Sequence, residues 1–124
     1  MNIFDLYTDY LQITPGLATA TGLSSILDKA VSHDQVTSML ANHESDSKAL
    51  WRTVKSLVRE HEHIDGCLIF DDTILHKPHT DENEVICWHY DHATGKSVKG
   101  INLLTTFYYS QNSEQPLKIP VAFD

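Results

Sequence analysis

A chain of 124 residues, 41% hydrophobic and 21% charged, has the composition of one globular domain, which excludes a disordered tail and a collagenous repeat. The apolar run Cys67-Leu68-Ile69-Phe70 is far short of the ~20 residues of a membrane span, and an N-terminus with Asp5 and Asp9 but no basic residue does not read as a secretory signal. With 17 acidic residues against 9 Lys and Arg, the formal charge of -8 excludes long-range attraction to nucleic acid. Any DNA contact must then come from a local patch, within a screening length of ~8–10 Å.

The first half of the chain has helical periodicity. Ile3, Leu6, Tyr7, Tyr10 and Leu11 recur at three- and four-residue spacing and line one face of a helix that Pro15-Gly16 ends. Leu23, Ile26, Leu27 and Ala30 repeat the pattern, which predicts a second helix over 22–31. Ser32 followed by Gln35 is a capping-box signature and opens a third helix carrying Val36, Met39 and Leu40. A fourth starts near Asp46 and presents Leu50, Val54, Leu57 and Val58 to a core.

From Gly66 onward the period changes. Residues 67–70 read as a strand buried on both faces. Residues 84–90 and 98–109 are rich in β-branched and aromatic side chains, and residues 91–96 between them supply the turn of a hairpin. Residues 115–124 predict a further short strand, which Pro116 and Pro120 confine to an edge. Cys67 and Cys87 both fall in strand-like runs, which suits a reduced, cytoplasmic protein better than a disulfide scaffold.

Several residues could carry chemistry. Asp71 and Asp72 directly follow the first apolar strand, where ionised groups are costly to desolvate. Either both lie past the sheet edge in a turn with Thr73, or one is a metal ligand held by a rigid strand. Side chains alternate across a strand, so only one of the pair can serve a given site, with the other supporting it. The close histidine pairs His61/His63, His76/His79 and His89/His92 invite a zinc reading, but none has His-x-x-x-His spacing and the cysteines form no Cys-x-x-Cys clamp. Lys48, Arg52, Lys55 and Arg59 make one stripe on the fourth helix, either a solvated face or a ridge that tracks phosphates without reading sequence. The second and third helices have the outline of a helix-turn-helix, with Gln35, Thr37, Ser38 and Asn42 on the third able to hydrogen-bond base edges.

The blocks Leu68-Ile69-Phe70-Asp71-Asp72-Thr73, Lys77-Pro78, Cys87-Trp88-His89-Tyr90-Asp91-His92 and Val98-Lys99-Gly100-Ile101-Asn102-Leu103-Leu104 together resemble bacterial insertion-sequence transposases of the DDE superfamily. Thr19-Ala20-Thr21-Gly22-Leu23 and Ser32-His33-Asp34 resemble the helical N-terminal region of the same group, so the resemblance covers most of the chain. It implies a ribonuclease-H-like core that opens with an antiparallel β-meander, and an Asp-Asp-Glu triad holding two Mg²⁺ (or Mn²⁺) ions for in-line phosphoryl transfer on DNA. By the resemblance Asp72, the acid directly before Thr73, is the first catalytic and metal-ligating carboxylate, and Asp71 supports it.

The second Asp and the Glu of such families lie downstream of the strands read here, and Asp124 has no motif around it. The expectation is an α+β chain. Residues 1–63 form an N-terminal helical bundle, helix-turn-helix-like, that contacts DNA through Lys48, Arg52, Lys55, Arg59, Gln35 and Asn42. Residues 66–124 form the opening meander of a truncated ribonuclease-H-like domain. As an N-terminal portion of a transposase the chain is expected to be catalytically silent, to bind transposon ends without tightly held metal, and to self-associate through uncovered sheet. It is expected in the cytoplasm and away from membranes. The rival readings are a freestanding DNA-binding regulator of transposition and, more distantly, a small metal-binding protein.

Overall fold

The computed structural model describes residues 2–111 and 116–124. Its elements are α1 (Ile3–Ile13), α2 (Ala20–Ile26), α3 (His33–Asn42), α4 (Ser47–His61), β1 (Cys67–His76), β2 (Cys87–Asp91), β3 (Lys96–Ser110) and β4 (Leu117–Phe123). The α+β class is therefore as expected, with helices first and an antiparallel sheet after them. The chain forms two compact units, residues 1–44 and 45–124.

In the first unit the helix starts follow from side-chain caps. Asn2 accepts from the Phe4 amide, Thr19 from Gly22 at 3.0 Å, and Ser32 and Gln35 close a reciprocal capping box. The apolar stripes then converge on a core of Tyr10, Leu23, Val31 and Val36, against which Ile3, Leu6, Tyr7 and Leu27 pack. Helix α2 is shorter than its apolar pattern predicts. Lys29 N–H donates to the Ser24 carbonyl at 2.8 Å and Asp28 N–H to Ser25 at 3.2 Å, the paired bonds of a Schellman stop. Asp28 and Lys29 take left-handed φ values of 50° and 63° to make them. Leu27 and Val31 still reach the core, but from a loop.

The second unit joins α4 to the sheet, so the fourth helix belongs with the strands and not with the three helices before it. Its apolar stripe packs on β4, and Val58 and Ile119 are the unit's buried hydrophobic residues. Asp46 caps the first turn by accepting from Ala49 at 2.7 Å, and Ser47 Oγ accepts from the Phe123 amide at 3.0 Å. Past the helix, His63 N–H donates to the Tyr108 hydroxyl at 2.9 Å. Both ends of α4 are thereby tied to strands.

Strand β3 is the hub of the sheet. It pairs antiparallel with β1 from Cys67↔Tyr109 to His76↔Gly100, with β2 from Cys87↔Gly100 to Asp91↔Lys96, and with β4 from Thr105↔Phe123 to Ser110↔Leu117. A register shift between Thr106 and Phe107 accommodates β4, which carries Pro120 opposite Phe107. Strand β2 begins later than its composition predicts because Asn83 Oδ1 accepts from the Val85 and Ile86 amides, both at 2.8 Å, and holds that stretch in a turn. The hairpin turn forms where expected, with Gly95 at φ 66°. Of the predicted last strand, Gln115 lies outside the described residues.

Two expectations about β1 are corrected. Residues 67–70 are not buried on both faces: Leu68 is 56% exposed and Phe70 65% exposed, because β1 packs against β3 while α4 covers β4. Nor do Asp71 and Asp72 follow the strand. They stand in its middle, since the pairing with β3 runs on to His76, and exposure spares both carboxylates the cost of desolvation.

Candidate functional site

Asp72 lies opposite Leu104 and Asp71 opposite Thr105, so the two carboxylates point to opposite faces of the sheet. Asp71 Oδ2 accepts from the Thr73 hydroxyl at 3.4 Å. Asp124 exchanges both backbone hydrogen bonds with Leu104, each 2.9 Å long. Asp72 on β1, Leu104 on β3 and Asp124, the residue after β4, therefore lie in one row, the two outer Cα atoms about 10 Å apart at ordinary strand spacing. Nothing in the wording around Asp124 signals this; only the pairing register reveals it.

Asp72 opens onto a cleft of about 690 Å³, lined by Asp72, Thr73 and Ile74 of β1, by residues 88–93 of β2 and its turn, and by Asn102 of β3. Trp88 and Tyr90 on its wall are more than half exposed. At the far end, Asp91 closes the hairpin turn, accepting from Thr94 Oγ1 at 2.9 Å and from Ala93 N–H at 3.0 Å. These two bonds, outweighing partial desolvation and helped by His76 with Nε2 3.6 Å away, hold the Asp91 carboxyl below its ordinary value.

Of the paired histidines, His76 meets Asp91 across the sheet and four others have partners close in sequence. His61 Nδ1 lies 3.0 Å from the Leu57 carbonyl, and His63 sits beside Asp65. His89 Nε2 lies 3.3 Å from Cys87 Sγ, and His92 meets Tyr90 edge-on. Both cysteines are free thiols. Among the described residues no three His, Cys, Asp or Glu side chains are grouped so as to hold a metal ion. The donor set around Asp72 thus does not fit a two-metal centre by itself, because hard divalent ions in such centres are bridged by several carboxylates.

The basic stripe forms as its spacing requires. Lys48, Arg52, Lys55 and Arg59 are all exposed on α4, away from the apolar face that meets β4, and Arg59 pairs with Glu62 at 3.5 Å. On α3, Gln35 and Asn42 are exposed but engaged. Gln35 Oε1 accepts from the Ser32 amide at 2.9 Å, and Asn42 Nδ2 donates to the Ser38 carbonyl at 2.8 Å. Stripe and α3 belong to different units. No helix among the described residues is long and apolar enough to cross a membrane. No protein-family model, curated protein or solved structure was found to match the chain.

Proposed function

We propose that the chain is a portion of a DDE-type transposase, acting on DNA through metal-dependent strand cleavage and transfer when the full carboxylate set is assembled. The observation that supports this most is the place of the motif blocks. The Asp-Asp-Thr block falls on β1, the Trp-His-Tyr-Asp block on β2 and the Val-Lys-Gly-Ile-Asn-Leu-Leu block on β3, all paired in one sheet around the cleft beside Asp72. Strands β1, β3 and β4 also run as an antiparallel three-strand meander, since β1 and β4 pair with the same stretch of β3 and so take opposite edges. That is the opening expected of a ribonuclease-H-like domain, with β2 as a short addition to β3.

In this reading Asp72 is the first catalytic and metal-ligating carboxylate and Asp71, on the other face, supports the strand. The 124 residues alone do not cut DNA, because the Asp72 donor set is incomplete. The α4 stripe contacts phosphates and positions the chain on the duplex. A second reading, a non-catalytic DNA-binding regulator, is favoured by that same incompleteness alongside an exposed stripe.

The test is binding of a duplex across a salt series by fluorescence anisotropy. Four phosphate contacts give a slope of log affinity on log salt near -3.6 at most, from ~0.9 per contact. Lys55→Gln/Arg59→Gln should flatten it by roughly two units and leave sequence preference alone. An unchanged slope makes the stripe a solvated face. With Mg²⁺ or Mn²⁺ present, nicking that disappears in Asp72→Ala would refute both the expected silence and the regulator reading.

A further inference from the structure

Strands β1 and β2 share no ladder. Each pairs with β3, on opposite edges, and the two ladders meet at Gly100, which faces His76 on one side and Cys87 on the other. In a straight sheet Asp91, opposite Lys96, would stand four residues beyond Gly100 and one strand further over, which puts its Cα ~17 Å from that of His76. Yet His76 Nε2 and Asp91 Oδ2 are 3.6 Å apart. Two such side chains close that gap only when their Cα atoms are within ~12 Å. The cleft gives the same answer independently. A straight β3 would set Asp72 and Asp91 ~29 Å apart, much further than a cleft of about 690 Å³ lined by both can reach. Strand β3 therefore bends at Gly100 and carries the β2–β3 hairpin back over the sheet. A glycine is required there, because the Leu75 carbonyl oxygen occupies the space a Cβ would take.

We propose that His76 and Asp91 are a clasp, an ion pair that holds the hairpin curled over the face carrying Asp72, and that as positioning residues they set the width of the cleft. The alternation of the two ladders puts Asp72 and His76 of β1 and Asp91 of β2 on the same face, which is the concave side of the bend. The Asp91 carboxylate is fixed in advance by the Thr94 hydroxyl and the Ala93 amide and is only 15% exposed, so fastening restricts one side chain and not two. Lys96, directly opposite Asp91, is a rival cation on that face, but it belongs to the hairpin itself and cannot tie it to β1. His89 is engaged by Cys87 Sγ at 3.3 Å. The clasp follows from the fold alone; what the cleft admits, a DNA strand reaching Asp72, rests on the transposase reading.

The clasp is tested without DNA, so that its failure stays distinct from failure of the salt series. Residual dipolar couplings of the backbone amides in the whole chain read the orientation of residues 87–99 against the β1–β3 ladder, at about pH 5.5, where an ordinary histidine is charged. In the parent the couplings should fit the bent arrangement. His76→Gln and Asp91→Asn should each let the hairpin swing, and its degree of order relative to the ladder should fall to about half or less, as loss of a partly exposed pair shifts a balance a few-fold. Asn at position 91 can still bond Thr94 and Ala93, and His76→Gln lies outside the turn, so neither effect is loss of the turn itself. His76→Arg keeps the cation and should keep the order, and Lys96→Gln should leave it unchanged. Parent couplings that fit a straight β3 overturn the proposal. So does a hairpin equally ordered in both neutral variants, one that His76→Arg loosens as much as His76→Gln, or one that Lys96→Gln loosens as much as Asp91→Asn.

Discussion

Gly100 is buried where three strands meet, opposite His76 on β1 and Cys87 on β2. A Cβ there would overlap the Leu75 carbonyl oxygen and lie 2.9 Å from the Leu75 carbonyl carbon and 3.1 Å from Ile74 Cγ2. The obstruction is backbone, so relief requires β1 to move away from β3. That motion opens the end of the ladder, including the 2.9 Å bond from Lys77 N–H to the Lys99 carbonyl. Overpacking costs ~1–3 kcal/mol and each ladder bond lost ~1 kcal/mol, so Gly100→Ala should destabilise the second unit by about 3 kcal/mol. Both tryptophans, Trp51 on α4 and Trp88 on β2, lie in that unit, so their fluorescence in urea reports its unfolding. At an m-value of ~1–2 kcal/mol/M the midpoint should fall by about 2 M. Ile74→Ala removes the softer contact and should not rescue the variant. A midpoint unchanged by Gly100→Ala, or rescue by Ile74→Ala, would refute the steric account.

Three further outcomes are expected. Asp28→Gly relieves a left-handed φ of 50° and should stabilise the first unit by ~0.5–1 kcal/mol in thermal melts, whereas Asp28→Val should destabilise it. Ser32→Ala removes the acceptor for the Gln35 amide and should cost that unit ~1 kcal/mol, measured by urea denaturation followed by circular dichroism. The Asp91 carboxyl is held low by Thr94, Ala93 and His76. Its contribution is therefore fully present above the unfolded aspartate pKa of ~3.9 and is lost as pH falls through the lower folded value. Trp88 fluorescence across an acid titration should show hairpin loosening in that window, and Asp91→Ala should remove it.

What was legible in the sequence was what depends on near neighbours. Ser32 with Gln35, Asp46, and the turn from Asp91 to Gly95 each act within a few residues, and the structure has each where the residue types require it. The end of α2 was hidden because left-handed residues there are Asp and Lys, types that carry no stop signal of the kind glycine gives. The start of β2 was hidden because a single side chain, Asn83, outcompetes the strand propensity of Val85 and Ile86. The partner of α4 was beyond reach for a different reason: an apolar stripe states that a helix must be covered, and not by what. The same holds for β1, where apolar residues imply burial only if some other element supplies the cover.

The two aspartates in the middle of β1 are where local and long-range readings part. As an exposed strand segment, Asp71-Asp72 has poor strand propensity and no cation in its rows, so neither propensity nor an ion pair accounts for the pair. A metal-ligand role concerns Asp72 and its face, beside Asn102 and the cleft, and leaves Asp71 on the other side of the sheet. The two faces therefore separate by single substitution. Asp71→Asn should spare any metal affinity of the Asp72 face, and Asp72→Asn should abolish it. Metal titration followed by the chemical shifts of residues 72 and 74 reads both variants. Equal loss of metal response in the two variants would refute the division of labour between the faces.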